Sequence, residues 1–255
     1  MNKADKMKLF YIFGVSLIFF LSGCIDTNVT NVPSSVDFHS QVKLVNVASD
    51  VGNASITLGQ VTGGTLNAQL TGSLALGAEL PASGAPYADI SSGAKTMIVK
   101  YDNVAVPDTF KFTLDSQTKM RIFIIGNSNA GSRNTVRLIE RYTFQAKNTS
   151  DGSTLFPPDT ASIQFYNATA DSSDAMITLA SSDNSVKLDT AYNDLAFGGQ
   201  FHYLKVKATG NSYKISTVAG SDTVSTTFTP AAKDRYTGVL YGRAGGYVLK
   251  ILTDD

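Results

Sequence analysis

The chain has a single cysteine, no tryptophan and only two histidines among its 255 residues. One cysteine excludes an internal disulfide framework. Structural and catalytic zinc sites gather several Cys and His at set spacings, so no such metal centre is expected. Serine nucleophiles depend on a neighbouring base, usually histidine, and the supply is thin. Residues 24–255 contain no Gly-x-Ser-x-Gly elbow, no phosphate-cradling Gly-Lys-Ser/Thr loop and no Gly-x-Gly-x-x-Gly. No cofactor and no enzymatic activity are therefore expected. Charge is scarce too: 16% of residues are Asp, Glu, Lys or Arg, with 21 of each sign. A nucleic-acid binder carries a basic patch or excess, so nucleic acid is not an expected partner.

The N-terminus is the most informative segment. Lys3, Lys6 and Lys8 make a positive start, and an apolar run follows from Leu9 to Leu21. That run would be roughly 20 Å long as a helix at about 1.5 Å per residue. A spanning helix needs about 20 apolar residues, so the segment reads as the core of a signal peptide. It ends in Leu21-Ser22-Gly23-Cys24, which resembles the lipobox of bacterial lipoproteins: an aliphatic residue, two small residues that fit a peptidase cleft, then cysteine. The resemblance implies cleavage before Cys24 and a thioether from its sulfur to diacylglycerol, chemistry that needs a thiol. Two or three acyl chains would anchor the protein stably. Ile25 follows the cysteine, where aspartate favours inner-membrane retention in enterobacteria-like sorting, so a lipid anchor in the outer membrane of the cell envelope is expected. Without residues 1–23 the net charge is −2.

Residues 24–40 read as a polar tether. Turn formers at Asn148–Ser153 and the pair Pro157-Pro158 mark a linker over 146–160. The segments on either side, 41–145 and 161–255, look alike. Gln41–Asp50 and Ser162–Asp171 each run from a β pattern through Asn46 or Asn167 to Asp50 or Asp171. Short strands follow at Ser55–Leu58 and Met176–Leu179. Thr109–Leu114 and Thr223–Phe228 each precede a Lys-x-Arg, at 119–121 and 233–235, and a β run to glycine comes next. Landmarks in one order argue for an internal repeat.

Within each copy the period is that of strands. Phe110, Phe112 and Leu114 alternate with Lys111 and Thr113, and Leu204 and Val206 alternate with Lys205 and Lys207. Such alternation buries one face and wets the other. The expected fold is all-β: two tandem Greek-key, immunoglobulin-like sandwiches, without the Cys…Trp…Cys hallmark of antibody domains.

Asn46–Asp50, Ile56-Thr57-Leu58 and Asp89-Ile90-Ser91-Ser92-Gly93 together resemble the bacterial DUF4397 family, uncharacterised domains that are secreted or lipid-anchored and often tandem. The resemblance covers most of 41–253. It implies β-sandwiches and carries no catalytic or binding residues onto this chain.

The remaining candidates are modest. His39 falls in the tether, and His202 lies in the strand Phe201–Lys207. Asp50, Asp171, Asp174 and Asp183 stand in or near loops, where oxygen ligands can hold calcium but where aspartate also makes turns. Phe197, Phe201, Tyr203, Tyr213, Tyr236, Tyr241 and Tyr247 crowd the second copy; exposed, they would stack on a glycan or contact a protein, and buried, they would form core. The expected role is a structural or adhesion module, with glycan or peptide capture as the alternative.

Overall fold

A computed structural model describes residues 38–126, 142–143, 159–169, 174–181, 195–208 and 210–253. The lipobox residues Leu21, Ser22, Gly23 and Cys24 lie outside them, as do Asp171, Asp183 and most of the expected linker. Residues 38–255 form one compact unit.

The first repeat contributes β1 (His39–Asn46), β2 (Ala54–Thr62), β3 (Thr65–Leu74), β4 (Glu79–Leu80), β5 (Ala88–Ser91), β6 (Gly93–Tyr101), β7 (Asp108–Leu114), β8 (Thr118–Ile124) and β9 (Tyr142–Thr143). The second contributes β10 (Thr160–Asn167), β11 (Asp174–Ser181), β12 (Leu195–Ala196), β13 (Gln200–Lys207), β14 (Tyr213–Ala219), β15 (Asp222–Phe228), β16 (Arg235–Tyr241) and β17 (Val248–Thr253). His39, expected in the tether, is the first residue of β1, held by the antiparallel partner Ser91.

Each repeat is a sandwich of two sheets. In the first, an antiparallel sheet β3-β2-β6-β7 faces a sheet β4-β1-β8-β9, with β5 also on β1. In the second, β12-β11-β14-β15 faces β13-β10-β16-β17. The N-terminal strand of each copy pairs in parallel with a late strand, β1 with β8 and β10 with β16. The all-β, sandwich part of the expectation holds; this strand order does not by itself establish an immunoglobulin-like Greek key.

The repeat is visible in single bonds. Asn46 Nδ2 donates to Leu74 O at 3.0 Å, and Asn167 Nδ2 donates to Leu195 O at 2.7 Å, each spanning 28 residues. Both Oδ1 atoms accept the backbone N–H two residues on, at Ala48 and Thr169. Gly77 N–H donates to Asn46 O, and Gly198 N–H to Asn167 O. A buried amide that satisfies several backbone groups is hard to replace, which explains why Asn recurs here. The Lys-x-Arg landmarks do not superpose, however. In the parallel ladders Arg121 lies opposite Lys43, whereas Arg235 lies opposite Ser162. The residue of the second copy at the position of Arg121 is Thr237, opposite Gln164. Lys233 sits in the turn before β16, at a φ of 73°.

Alternation holds in the outer sheets. Strands β7 and β15 both run half-buried, exposed, half-buried, exposed to a buried last residue. It fails in the inner sheets. Strands β1, β8, β10 and β16 are buried almost throughout, as strands are when both faces are covered. One core, around Leu44, Ile56, Val99 and Ile122, fills the first sandwich. A second, around Ile163, Phe165, Ile215 and Leu240, fills the other. A third cluster lies between the two inner sheets: Val45, Val47, Phe123 and Ile125 from the first repeat, with Tyr166, Ala168, Val239, Tyr241 and Leu252 from the second.

Candidate functional site

The third cluster is a seam built from matching positions. By the ladder registers Val45 corresponds to Tyr166 and Phe123 to Val239. Each inner sheet therefore turns the same patch toward its sibling. At the centre the rings of Phe123 and Tyr166 stack, with centroids 5.4 Å apart and planes 7° apart. Burial pushes the Tyr241 phenol above its ordinary pKa, so it stays protonated in the seam.

Polar contacts close the seam at its rim. Lys250 Nζ of β17 donates to Gly77 O at 2.5 Å and lies 3.5 Å from Glu79 Oε1. Glu79 Oε2 is 3.8 Å from Lys43 Nζ, which donates to Ala85 O at 3.0 Å. Arg121 Nη2 donates to Thr253 O at 2.7 Å, and Ser49 Oγ to Gly242 O at 3.2 Å. Lys43 and Arg121 are 1% and 0% exposed, so their charges are met by this carboxylate, by carbonyls and by an aromatic face. Lys43 Nζ, Lys119 Nζ and Arg121 Cζ stand 4.7, 4.4 and 5.7 Å from the centroid of the Tyr87 ring, within the range of cation–π attraction. Tyr87 and Ala85 belong to the segment between β4 and β5. In the second repeat the unbroken β13 takes the place of both strands on β10.

A second feature is a notch of about 460 Å³ in the first repeat, lined by residues of β2, β6 and β7. The β2–β6 ladder ends at Gly59 and Thr96, while β2–β3 continues to Thr62 and β6–β7 to Gly93. The β2–β3 arm thus parts from the sheet, with a register shift after Leu58. Gly59 permits it: a Cβ there would collide with the carbonyl of Asn67. Lys95, 2% exposed, lies at the notch and donates to Ser91 Oγ at 2.8 Å. Burial holds its ammonium below the ordinary lysine pKa.

The residues singled out in the sequence are scattered. His39 is exposed at one sandwich end, 3.2 Å from Asp89 Oδ1. Asp50 lies in the turn after β1, packed on Gly126, and its Oδ1 is buried with no hydrogen-bond partner among the described residues. The side chains of Asp174, Phe201, His202 and Tyr203 lie outside the described residues. Tyr213, Tyr236 and Tyr241 are buried rather than displayed. Tyr213 donates to Lys207 O, and Tyr236 to Asp234 Oδ2 while accepting from Ala231 N–H. Among the described residues no three His, Cys, Asp or Glu gather as metal ligands, and no helix is long and apolar enough to cross a membrane. Sequence reasoning missed both the seam and Lys95. The available signals were Val42–Ala48, apolar on both strand faces except at Lys43 and Asn46, the unbroken apolar run Ile122–Ile125, and a lysine in step with Met97 and Val99 of β6.

No family model matches the chain, and no curated protein matches it.

Proposed function

We propose that the chain is a lipid-anchored envelope protein whose two sandwiches act as one stiff, non-catalytic structural or adhesion module. The seam carries this reading. Four apolar positions from each repeat, plus Leu252, are buried against one another, and a large apolar interface makes two domains move as one body. The outer strands β7 and β15 present Thr, Ser and Lys, a surface suited to exposure on a stalk. Lipid on Cys24 would hold the module to the outer membrane, and the short motif of Asn46–Asp50 is what favours DUF4397 kinship. Glycan or peptide capture through an aromatic face is less favoured, because Tyr213, Tyr236 and Tyr241 are occupied in the cores and the seam.

The test is protease shaving of intact cells beside a Cys24→Ala control, with detection of the C-terminal repeat. Cleavage on intact cells, and loss of the cell-attached signal in the control, is the expected result. A control protein that stays membrane-bound would remove lipid anchoring from the proposal. Protection until the outer membrane is opened would place the sandwiches in the periplasm and end the adhesion reading.

A further inference from the structure

The notch has an internal comparison, because the second repeat contains the corresponding corner. By register Lys95 of β6 corresponds to Tyr213 of β14, and Phe112 of β7 to Phe228 of β15. In the second repeat the β11–β14 ladder runs on to Ser181 and Tyr213, one pair beyond where β2–β6 stops. There the buried Tyr213 ring packs on that of Phe228, with centroids 5.9 Å apart. In the first repeat the ladder opens and a lysine replaces the tyrosine.

The chemistry of that corner is one-sided. Its lining includes Lys95 and Lys111 and no acidic residue, with Phe112, Val61 and Ala94 as apolar wall. Lys95 has one hydrogen bond, to Ser91 Oγ. Ser91 Oγ also accepts from Gln69 Nε2 at 2.6 Å. An ammonium has three N–H donors and a hydroxyl one, so two N–H of Lys95 and the O–H of Ser91 have no acceptor among the described residues. A buried cation without a carboxylate is costly, and an arriving anion would relieve that cost. A buried cation beside the Phe112 ring, with no carboxylate in the lining, matches an anionic head on an apolar body. The volume lies at the small end of ligand pockets.

We propose that the notch between the β2–β3 arm and β6 binds a small amphipathic carboxylate, with its anionic head on Lys95 Nζ and its apolar body against Phe112 and Val61. The site is independent of where the protein resides, and its failure would leave the envelope reading untouched.

The probe is phenylpropionate, titrated by calorimetry into the full chain held in nanodiscs, beside its neutral isostere phenylpropionamide. The acid is expected to bind at least about ten-fold tighter than the amide, the order of one charge-assisted hydrogen bond. Lys95→Met should abolish that preference, while Lys100→Met, an exposed lysine on the same strand, should keep it. Equal binding of acid and amide would overturn the proposal, as would no binding of the acid up to about 10 mM or an undiminished preference in Lys95→Met. The acid-against-amide comparison is made on the unmutated chain, so it stands even where the Met variant folds poorly.

Discussion

The two repeats share a framework, and at two of the places where they differ one copy is neutral and the other charged. At the rim of the seam the first repeat has Lys43 opposite Arg121. The second has Gln164 and Thr237 at those positions, 3.1 Å apart in a direct hydrogen bond. At the corner of the outer sheet the first repeat has Lys95 beside an open notch, and the second has Tyr213 packed on Phe228. The Asn46 and Asn167 brackets are unchanged. The scaffold thus tolerates exchange of polar chemistry where a loop or a neighbouring sheet supplies new partners. It holds constant the amides that tie one strand end to two loops.

The sharpest way to break the comparison is to attack what the copies share. Phe123→Ala or Tyr166→Ala deletes one ring of the stacked pair, and each is expected to cost about 3–4 kcal/mol, as truncation of a fully buried aromatic does. Both should also uncouple the two cores, so that urea unfolding followed by fluorescence and by circular dichroism gives separate transitions. A single unshifted transition would mean that the seam does not bind the repeats into one cooperative unit.

Next in size is the charged rim. Glu79→Gln removes the carboxylate shared by Lys43 and Lys250, and a loss of about 3 kcal/mol is expected for taking one partner from a buried ion pair. Gln164→Ala at the neutral counterpart should cost about 1 kcal/mol, the scale of one ordinary hydrogen bond. Adding salt should leave the gap largely intact, because a buried pair is little screened. Equal losses in urea titrations would show that the two rims are energetically alike despite their chemistry.

Much of this fold was legible in the sequence, for reasons that also set the limit. Alternation in Thr109–Leu114 and in Leu204–Lys207 reads directly as strand because period two is a local property. The recurrence of Asn46 at Asn167 is legible as a landmark at the end of matching β runs, although each amide also bonds a carbonyl 28 residues on. The seam is not local. Val45, Val47, Phe123 and Ile125 sit at positions that an isolated sandwich would give to water. Their apolar character makes sense only with a second sheet against them. The Lys-x-Arg pattern misled for a related reason: residues 119–121 lie within β8 while 233–235 run from a turn into β16, and that register is set by partners distant in sequence. Lys95 gave only its place in step with Met97 and Val99, because its setting depends on a ladder that ends at Gly59.

A smaller effect tests the exchange of bulk between the inner sheets. In the first repeat Leu44 lies opposite Ile122, and in the second Phe165 lies opposite Gly238. One copy shares the volume between two aliphatics, while the other gives it all to one ring. A Cβ on Gly238 would come within 2.6 Å of the Phe165 ring. Gly238→Ala should therefore destabilise by about 1–3 kcal/mol through overpacking. Adding Phe165→Leu, which moves the pair toward the arrangement of the first repeat, should recover at least about 1 kcal/mol as coupling energy. Strict additivity in thermal unfolding would mean that the two sites do not share the space.

The finest distinction is electrostatic and concerns Lys95 against Tyr213. Burial lowers the Lys95 pKa, so folding favours its neutral form. Between that lowered value and the ordinary lysine value the unfolded chain binds more protons than the folded one, and stability rises with pH. Below the lowered value both states are charged and the penalty is present in full. Lys95→Met has no such group. The stability of the unmutated chain relative to this variant should therefore climb as urea titrations move from about pH 7 to about pH 10, toward the unfolded lysine pKa. Saturating phenylpropionate should flatten the climb, because an anion on Lys95 favours the charged form in the folded state. A climb that persists unchanged with the acid bound would place the anion away from Lys95, and a relative stability that is flat without it would mean that the lysine is not desolvated in the folded chain.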